Sequence, residues 1–305
     1  MTSLAADPPG HDKALQGRLL VLLAGVFWSL AGLFMRSLEA AGDWQVVFYR
    51  SLTLIIFLGL VLAMRDGRRL PSIFAAAGWT SVLAGFFLSF AFVCFVTSIT
   101  RTTVANTLFL LSAAPLLAAF LGWLLLRESV RKATWGAMVA AVLGVAVMVG
   151  DGLAQGNPLG DLLALGAALS FALFTVTLRR KPGVDMLPTT VYAGLFAMLW
   201  SGPAALVTDQ GLLLSTHDLL ICIALGVIQM GCGLLAYIIG ARHLGAAESA
   251  LLSMSEVVLG PLWVWWVFSE IPTTLTLAGG GIVLAALTGN ALSGLRRRRP
   301  PVGAV

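Results

Sequence analysis

The chain has 305 residues and a formal net charge of +5, with 59% hydrophobic and only 11% charged residues. Its mean hydropathy is +0.94, and its charged fraction lies well below the level of about 25% that is usual in soluble domains. This composition excludes a cytosolic enzyme and a disordered chain, and it indicates that lipid surrounds most of the protein.

Ten apolar runs approach or exceed the length of about 20 residues that a membrane-crossing helix needs. In chain order they are 19–35, 45–64, 73–97, 104–125, 133–150, 160–178, 187–207, 218–240, 247–268 and 273–293. No segment alternates polar and apolar residues with a period of two, which disfavours a β-barrel. The predicted fold class is therefore an all-α integral membrane protein of ten transmembrane helices, whose links are too short to hold a soluble domain.

The basic residues predict the orientation, because Lys and Arg stay on the cytoplasmic side. With the N-terminus inside, the outer loops hold only Arg36 and Arg101, and Arg50 falls within the second run. The other sixteen basic residues lie on the cytoplasmic side: Lys13, Arg18, Arg65, Arg68, Arg69, Arg127, Arg131, Lys132, Arg179, Arg180, Lys181, Arg242 and Arg296 to Arg299. Both termini are thus expected to be cytoplasmic, and the positive net charge requires no nucleic-acid partner. The first run lacks a small-x-small cleavage site and is expected to be retained.

Two halves of the chain match. Gly17, Ala24 and Arg36 align with Gly160, Ala167 and Arg179 at a constant offset, and the stretch 103–128 aligns with 245–270. Five helices per half is an odd number, so the second half is predicted to be inverted relative to the first. Inverted repeats are typical of secondary transporters, which expose a midplane site to each side in turn.

The predicted organisation has four parts: a cytoplasmic tail over 1–18, a first five-helix repeat over 19–150, a second repeat over 160–293 and a basic cytoplasmic tail over 294–305. The small-residue stripes Gly136, Ala140, Gly144 and Gly281, Ala285, Gly289 are expected to pack helices closely. These stripes fit packing within one chain or between two, so the oligomeric state stays open.

The segments LLSAAPLLAAFLGWLLLRESV and LLSMSEVVLGPLWVWWVFSEI, which include Glu128 and Glu270, occupy corresponding places in the two halves. With the doubled five-helix unit, they resemble the drug/metabolite transporter superfamily, in its branch of ten-helix EamA-type exporters. The resemblance extends from about Gly17 to Leu295 and is greatest to bacterial exporters of aromatic and other neutral amino acids. It implies a multi-pass protein of the bacterial inner membrane, with a cavity framed by the first, third, fourth, sixth, eighth and ninth helices.

Glu256 is the most prominent polar residue at membrane depth, and such residues usually face a cavity or a partner helix. It lies on one face of the ninth run with Ser249, Ser253 and Gly260. One interpretation is that its carboxylate binds a substrate ammonium group or carries a proton. The other is that it is protonated or bonds to a neighbouring helix.

Arg50 allows two interpretations: its long side chain reaches the membrane surface, or it faces an outer vestibule and attracts a substrate carboxylate. Glu248 lies at the start of the ninth helix, where its negative charge is expected to interact favourably with the positive end of the helix dipole. Glu128 and Glu270, at opposite membrane faces, are expected to make interhelical bonds and not to bind substrate.

Trp28 lies in the middle of the first run, where its ring either stacks on a ligand or packs against a helix. Further candidates for the cavity lining are Ser89, Asn106, Ser112, Ser170, Gln229, Tyr237 and Ser253. Pro115 and Pro261 are expected to be hinges where the halves flex or, alternatively, fixed bends.

The sequence favours a transporter over an enzyme. His11, His217 and His243 all lie in tails or loops, and there is no phosphate-binding Gly-rich loop with Lys, so no metal, cofactor or ATP is expected. Cys94, Cys222 and Cys232 are expected to pack as small apolar residues. The predicted function is export of small neutral or amphiphilic metabolites, namely amino acids including aromatic ones, across the inner membrane by alternating access. The alternative is a proton-coupled efflux pump for lipophilic cations.

Overall fold

The structure is a computed structural model that describes residues 11–154, 158–181, 185–208 and 211–297. These residues form helices and links, with no strand among them. The helices are α1 (His11–Arg36), α2 (Asp43–Asp66), α3 (Leu70–Ile99), α4 (Val104–Leu111), α5 (Ala114–Leu126), α6 (Lys132–Ala154), α7 (Pro158–Arg179), α8 (Met186–Val207), α9 (Thr216–Ala224), α10 (Gly233–Ala241), α11 (Ala246–Ser253), α12 (Ser255–Phe268) and α13 (Thr274–Arg297). The predicted all-helical fold is confirmed. The predicted tails lie mostly outside the described residues.

Nine segments of the described chain are long and apolar enough to cross a membrane. One of them, Asp43–Ile99, has 57 residues and contains both α2 and α3, joined by the short 3-10 turn Gly67–Arg69. This length suffices for two crossings of about 20 residues each. The exact count of ten and the sidedness of the termini stay predictions.

The outer surface of the bundle is apolar, as a lipid environment requires. Large apolar side chains such as Leu60, Val142, Leu199 and Trp266 are between 58% and 78% exposed. The interior contains one large cluster that joins α2, α3 and α4 through residues such as Leu54 and Leu108. The protein thus buries apolar contacts inside while it presents apolar residues outside.

Three of the long segments are interrupted near their middle. The segment 104–126 breaks at Ser112–Ala113 between α4 and α5, and the segment 246–268 breaks at Met254 between α11 and α12. Between α9 and α10, Leu225–Cys232 forms a π-helix. Discontinuous helices and π-helical turns free or displace backbone groups, and both occur frequently at binding sites inside membrane proteins.

The helix packing joins the two predicted halves. α1 packs against α11 and α12, α7 packs against α4 and α5, and α3 packs against α7 and α8. We name the two ends of the bundle by residues of α1: the Arg36 end, which the loop charges predict to be outside, and the Arg18 end, which they predict to be cytoplasmic. The group of α1 with α11 and α12 extends from the Arg18 end to the Arg36 end, and so does the group of α7 with α4 and α5.

α6 packs closely against α13 at two glycines. A Cβ atom added at Gly144 would lie 2.6 Å from the carbonyl oxygen of Gly279, and one added at Gly279 would lie 2.6 Å from the carbonyl oxygen of Gly144. At Gly136, Gly281 and Gly289 an added Cβ would meet no described atom within 4 Å. The expected close packing is thus made by Gly144 with Gly279, and the other three glycines of the two stripes do not contribute to it.

Candidate functional site

Gln229 links two candidate residues in the interior of the bundle. Its side-chain oxygen accepts a hydrogen bond of 3.5 Å from Arg50 Nη2, and its Nε2 donates one of 3.4 Å to the main-chain oxygen of Trp28. Gln229 is only 4% exposed and belongs to the π-helical turn. We call Trp28, Arg50, Gln229, Tyr237 and Glu256 the central cluster.

The aromatic part of the central cluster is formed by Trp28 and Tyr237, whose ring centroids are 5.4 Å apart at an interplanar angle of 40°. A Cβ atom added at Gly233 would lie 2.5 Å from Trp28 Nε1, so a side chain at that position would displace the indole. Nε1 itself is buried and has no hydrogen-bond partner among the described residues. The pair thus offers an aromatic surface and one available donor.

Glu256 lies in the first turn of α12, two residues after the break at Met254. Because α11 has only eight residues, the break lies about 12 Å along the helix axis from its start. α1 approaches this break at Gly25, where an added Cβ would lie 3.5 Å from the main-chain nitrogen of Glu256. Gly25 is three residues before Trp28, so the close approach brings the start of α12 beside the helix that carries the indole.

Arg50 does not reach the membrane surface. Its side chain is 4% exposed, and its guanidinium lies over the rings of Phe92 and Phe95, at 5.1 and 5.8 Å from their centroids. The interpretation that this side chain extends to the lipid headgroups is wrong, because the side chain is buried inside the bundle. Its place in an outer vestibule stays a prediction. The sequence could not show this, because α2 directs Arg50 towards Gln229, a residue 179 positions away.

The remaining candidate residues are distributed over the bundle. Ser89 is fully buried, bonds to the main-chain oxygen of Phe86 and accepts a bond of 3.3 Å from Trp200 Nε1. Ser112 lies at the α4–α5 break and Ser253 at the last position of α11, and each donates to a main-chain oxygen three residues earlier. Ser170 lies on α7 and is partly buried. Their role in lining a cavity stays a prediction.

Asn106 belongs to a different group of polar residues. Its Nδ2 donates to Asp161 Oδ1, which also accepts a bond of 3.1 Å from the hydroxyl of Thr102. Asp161 is fully enclosed, and its Oδ2 and Asn106 Oδ1 have no hydrogen-bond partner among the described residues. The sequence analysis missed Asp161, because an acid in the first turn of a helix looks like a simple response to the helix dipole.

The same region contains an ion pair that closes the Arg36 end. Arg36 Nε lies 2.7 Å from Glu270 Oε2, and Arg36 Nη2 donates to the main-chain oxygen of Thr102 at 2.9 Å. Glu270 Oε1 accepts a bond of 2.7 Å from the main-chain nitrogen of Val104. Thr102 thus connects this pair with Asp161, and we call Arg36, Thr102, Asn106, Asp161 and Glu270 the Arg36-end network.

The corresponding contacts at the Arg18 end are more exposed. Arg179 pairs with Glu128 at 3.1 Å, with both side chains 41% exposed, whereas Arg36 and Glu270 are 27% and 19% exposed. Arg18 pairs with Glu248 at 2.7 Å and is 52% exposed. The expected interhelical bonds of Glu128 and Glu270 are confirmed, and Glu248 has an ion-pair partner in addition to its place at the start of α11.

The predicted repeat relates these contacts to one another. With Gly17 aligned to Gly160, Arg18 corresponds to Asp161, and with 103 aligned to 245, Asn106 corresponds to Glu248. The Arg18–Glu248 pair and the Asp161–Asn106 pair are thus counterparts at opposite ends of the bundle. In this structure the buried version of the contact is at the Arg36 end.

The two prolines differ in their relation to the helix breaks. Pro115 lies at the start of α5, next to the break at Ser112–Ala113, where its missing N–H costs nothing. Pro261 lies inside α12, seven residues beyond the break at Met254. Flexing at either proline stays a prediction. In the segment 246–268, the break at Met254 does not coincide with Pro261.

A bundle of long apolar helices, interrupted around buried polar and aromatic residues, is typical of membrane transporters. A family model described as the EamA-like transporter family matches residues 15–150 and again 158–292. The chain therefore belongs to the EamA-like transporter family, in the drug/metabolite transporter superfamily, and is a multi-pass protein of the inner membrane. The name of the family and the names of the relatives indicate a transporter and not an enzyme.

Several bacterial proteins are similar to this chain. An uncharacterized transporter of Vibrio cholerae is 25% identical over 65% of this chain and 64% of its own length, so the chain spans less than two thirds of that relative. A pseudopaline exporter of Pseudomonas aeruginosa is 25% identical over 90% of this chain and 95% of its own. An S-adenosylmethionine uptake transporter of Rickettsia prowazekii is 24% identical over 88% and 92%.

One solved crystal structure superimposes with a TM-score of 0.64 over 93% of this chain and 99% of its own, at 18% sequence identity. This likeness shows a shared fold. The names of the relatives include both an exporter and an uptake transporter.

Proposed function

We propose that this transporter exports small neutral or amphiphilic metabolites, with amino acids, including aromatic ones, as its substrates. The observation that carries the proposal is the composition of the central cluster: Glu256, next to a helix break that packs against α1, and the Trp28–Tyr237 ring pair, whose indole α1 carries. A carboxylate complements a substrate ammonium group, and an aromatic pair complements an apolar or aromatic side chain. Buried basic residues are few, which disfavours phosphorylated substrates.

Glu256 is expected to be required for flux. In proteoliposomes, wild type should transport labelled phenylalanine saturably, and Glu256→Gln should lower the initial rate by about tenfold or more, because a lost charge-assisted hydrogen bond weakens binding by at least that factor. Glu39→Gln is the matched control, since the Glu39 side chain is 71% exposed at the bundle end. Its rate should equal that of wild type.

The same assay separates this proposal from a drug pump. Labelled threonine and a lipophilic cation are offered with and without a pH gradient. Transport of the amino acids without a gradient supports the proposal. If only the cation moves, and only with a proton gradient that Glu256→Gln makes ineffective, the protein is a proton-coupled efflux pump and the proposal is wrong.

Alternating access requires that the polar contacts at the two ends break in turn. The Arg36–Glu270 pair and the Arg179–Glu128 pair join α1 to the end of α12 and α7 to the end of α5. Because each pair holds one end closed, Glu270→Gln should favour opening at the Arg36 end, and Glu128→Gln should favour opening at the Arg18 end.

A cysteine near the helix break reports this change. Ser253→Cys, with the three native cysteines replaced by alanine, is labelled by a membrane-impermeant maleimide in right-side-out and inside-out vesicles. Glu270→Gln should raise the labelling rate severalfold from the outer side, and Glu128→Gln from the cytoplasmic side. Equal changes from both sides in both variants would contradict a gating role for the two pairs.

A further inference from the structure

Two buried nitrogen donors in the central cluster have no acceptor. Arg50 Nε and Trp28 Nε1 are inaccessible and make no hydrogen bond to any described residue. Buried donors are nearly always paired in folded proteins, and an unpaired one costs free energy that a ligand can recover. Gln229 contacts both residues, through Arg50 Nη2 and the main-chain oxygen of Trp28, so one side chain brings the two residues together.

The charge of Arg50 is only partly compensated by its neighbours. Its contact with Gln229 is a weak one at 3.5 Å, and Phe92 and Phe95 offer only the faces of their rings. Glu256 is close enough for an electrostatic interaction with Arg50. The two nevertheless form no ion pair within 4.0 Å, and no described residue donates a hydrogen bond to the Glu256 carboxylate.

Arg50 and Glu256 carry opposite charges and are not paired with each other, which suits a ligand that has both a negative and a positive group. We propose that Arg50 Nε and Trp28 Nε1 bind the carboxylate of the substrate while Glu256 binds its ammonium group, so that the transporter selects zwitterionic α-amino acids over their esters and over simple cations. The inference rests on the proposed function and adds the recognised group: a free carboxylate. The Trp28–Tyr237 pair then receives the substrate side chain.

The guanidinium is suited to this task because it is always charged and offers several donors in one plane. The flat face of the Arg50 guanidinium lies over the rings of Phe92 and Phe95, which leaves its edge to make hydrogen bonds. Lysine would supply the charge but not an edge donor at the position of Nε. The substitution Arg50→Lys therefore separates charge from donor geometry.

The test compares two ligands that differ only at the carboxyl group. Binding of phenylalanine and of phenylalanine methyl ester to the full chain in lipid nanodiscs is measured by calorimetry. Wild type should bind the free acid on the order of tenfold to a hundredfold more tightly, the factor of one or two charge-assisted hydrogen bonds. Arg50→Lys should lose most of this preference while it still binds the ester as wild type does.

The control variant is Arg101→Lys, which alters an arginine paired with Asp43 at the Arg36 end and should keep the wild-type preference. Equal affinity of wild type for acid and ester would overturn the inference even if Arg50→Lys fails to fold. An unchanged preference in well-folded Arg50→Lys would overturn it too. If wild type binds neither ligand, the proposed amino-acid function itself has failed.

Discussion

Gly144→Leu is expected to be the most destabilising single substitution in the α6–α13 contact. The new side chain would begin 2.6 Å from the Gly279 carbonyl oxygen and 2.8 Å from a methyl group of Val283. A main-chain atom cannot rotate away as a flexible side chain can, so the two helices must separate. Overpacking of this kind costs about 1–3 kcal/mol, and the contact with backbone places this case at the upper end.

Thermal unfolding in detergent measures this effect. Gly144→Leu should lower the midpoint clearly, whereas Gly136→Leu, on the same helix, should leave it nearly unchanged because an added Cβ there meets no described atom within 4 Å. Equal midpoints for the two variants would show that α6 and α13 do not pack as the structure places them. Because both variants add one leucine to α6, the comparison also corrects for the effect of leucine on the insertion of this helix into the membrane.

The second large effect is expected for Asp161→Ala. Asp161 is fully enclosed and accepts hydrogen bonds from Thr102 and Asn106. Its removal leaves the buried Thr102 hydroxyl without its acceptor and leaves the Asn106 amide with only its bond of 3.3 Å to that hydroxyl, which costs about 1–3 kcal/mol. Because the main-chain oxygen of Thr102 also accepts a hydrogen bond from Arg36, the loss of Asp161 should weaken the whole Arg36-end network.

Glu248→Ala is the matched control, since Glu248 pairs with Arg18 at the corresponding place in the other predicted half. That pair is partly exposed, with Arg18 52% accessible, and such pairs contribute about 0–1 kcal/mol. Asp161→Ala should therefore unfold at a clearly lower temperature than Glu248→Ala. The reverse order would mean that the enclosed contact at Asp161 does not stabilise the protein.

The helical segments could be predicted from the sequence because apolar length is a local property. The predicted run 104–125 corresponds to α4 and α5 over 104–126, and the run 187–207 corresponds to α8 over Met186–Val207. A bend was predicted at Pro115, which lies next to the break at Ser112–Ala113, but the break at Met254 was not predicted. Met254 is apolar and suited to a helix, so nothing local marks the interruption that precedes Glu256.

The candidate site was predictable only in part. Trp28, Gln229 and Tyr237 were selected by depth and spacing, and the structure brings them together. Two places for Arg50, the membrane surface and an outer vestibule, fitted its distance from the helix end, and its partners come from α3 and the π-helical turn. Asn106 was selected as a polar residue that could line the cavity, but in the structure it bonds to Asp161 on α7 and lies in the Arg36-end network.

The cross-pairing of the halves determines the order in which the chain can assemble during synthesis. α1 is made first, yet its partners α11 and α12 are among the last helices to leave the ribosome. Until then Arg36 and Arg18 lack Glu270 and Glu248, and the small-residue face of α1 at Gly25 stays open to lipid or to other helices. Completion of the central cluster is therefore a post-insertion event, because a chain truncated before α11 would contain every preceding helix but would lack Glu256.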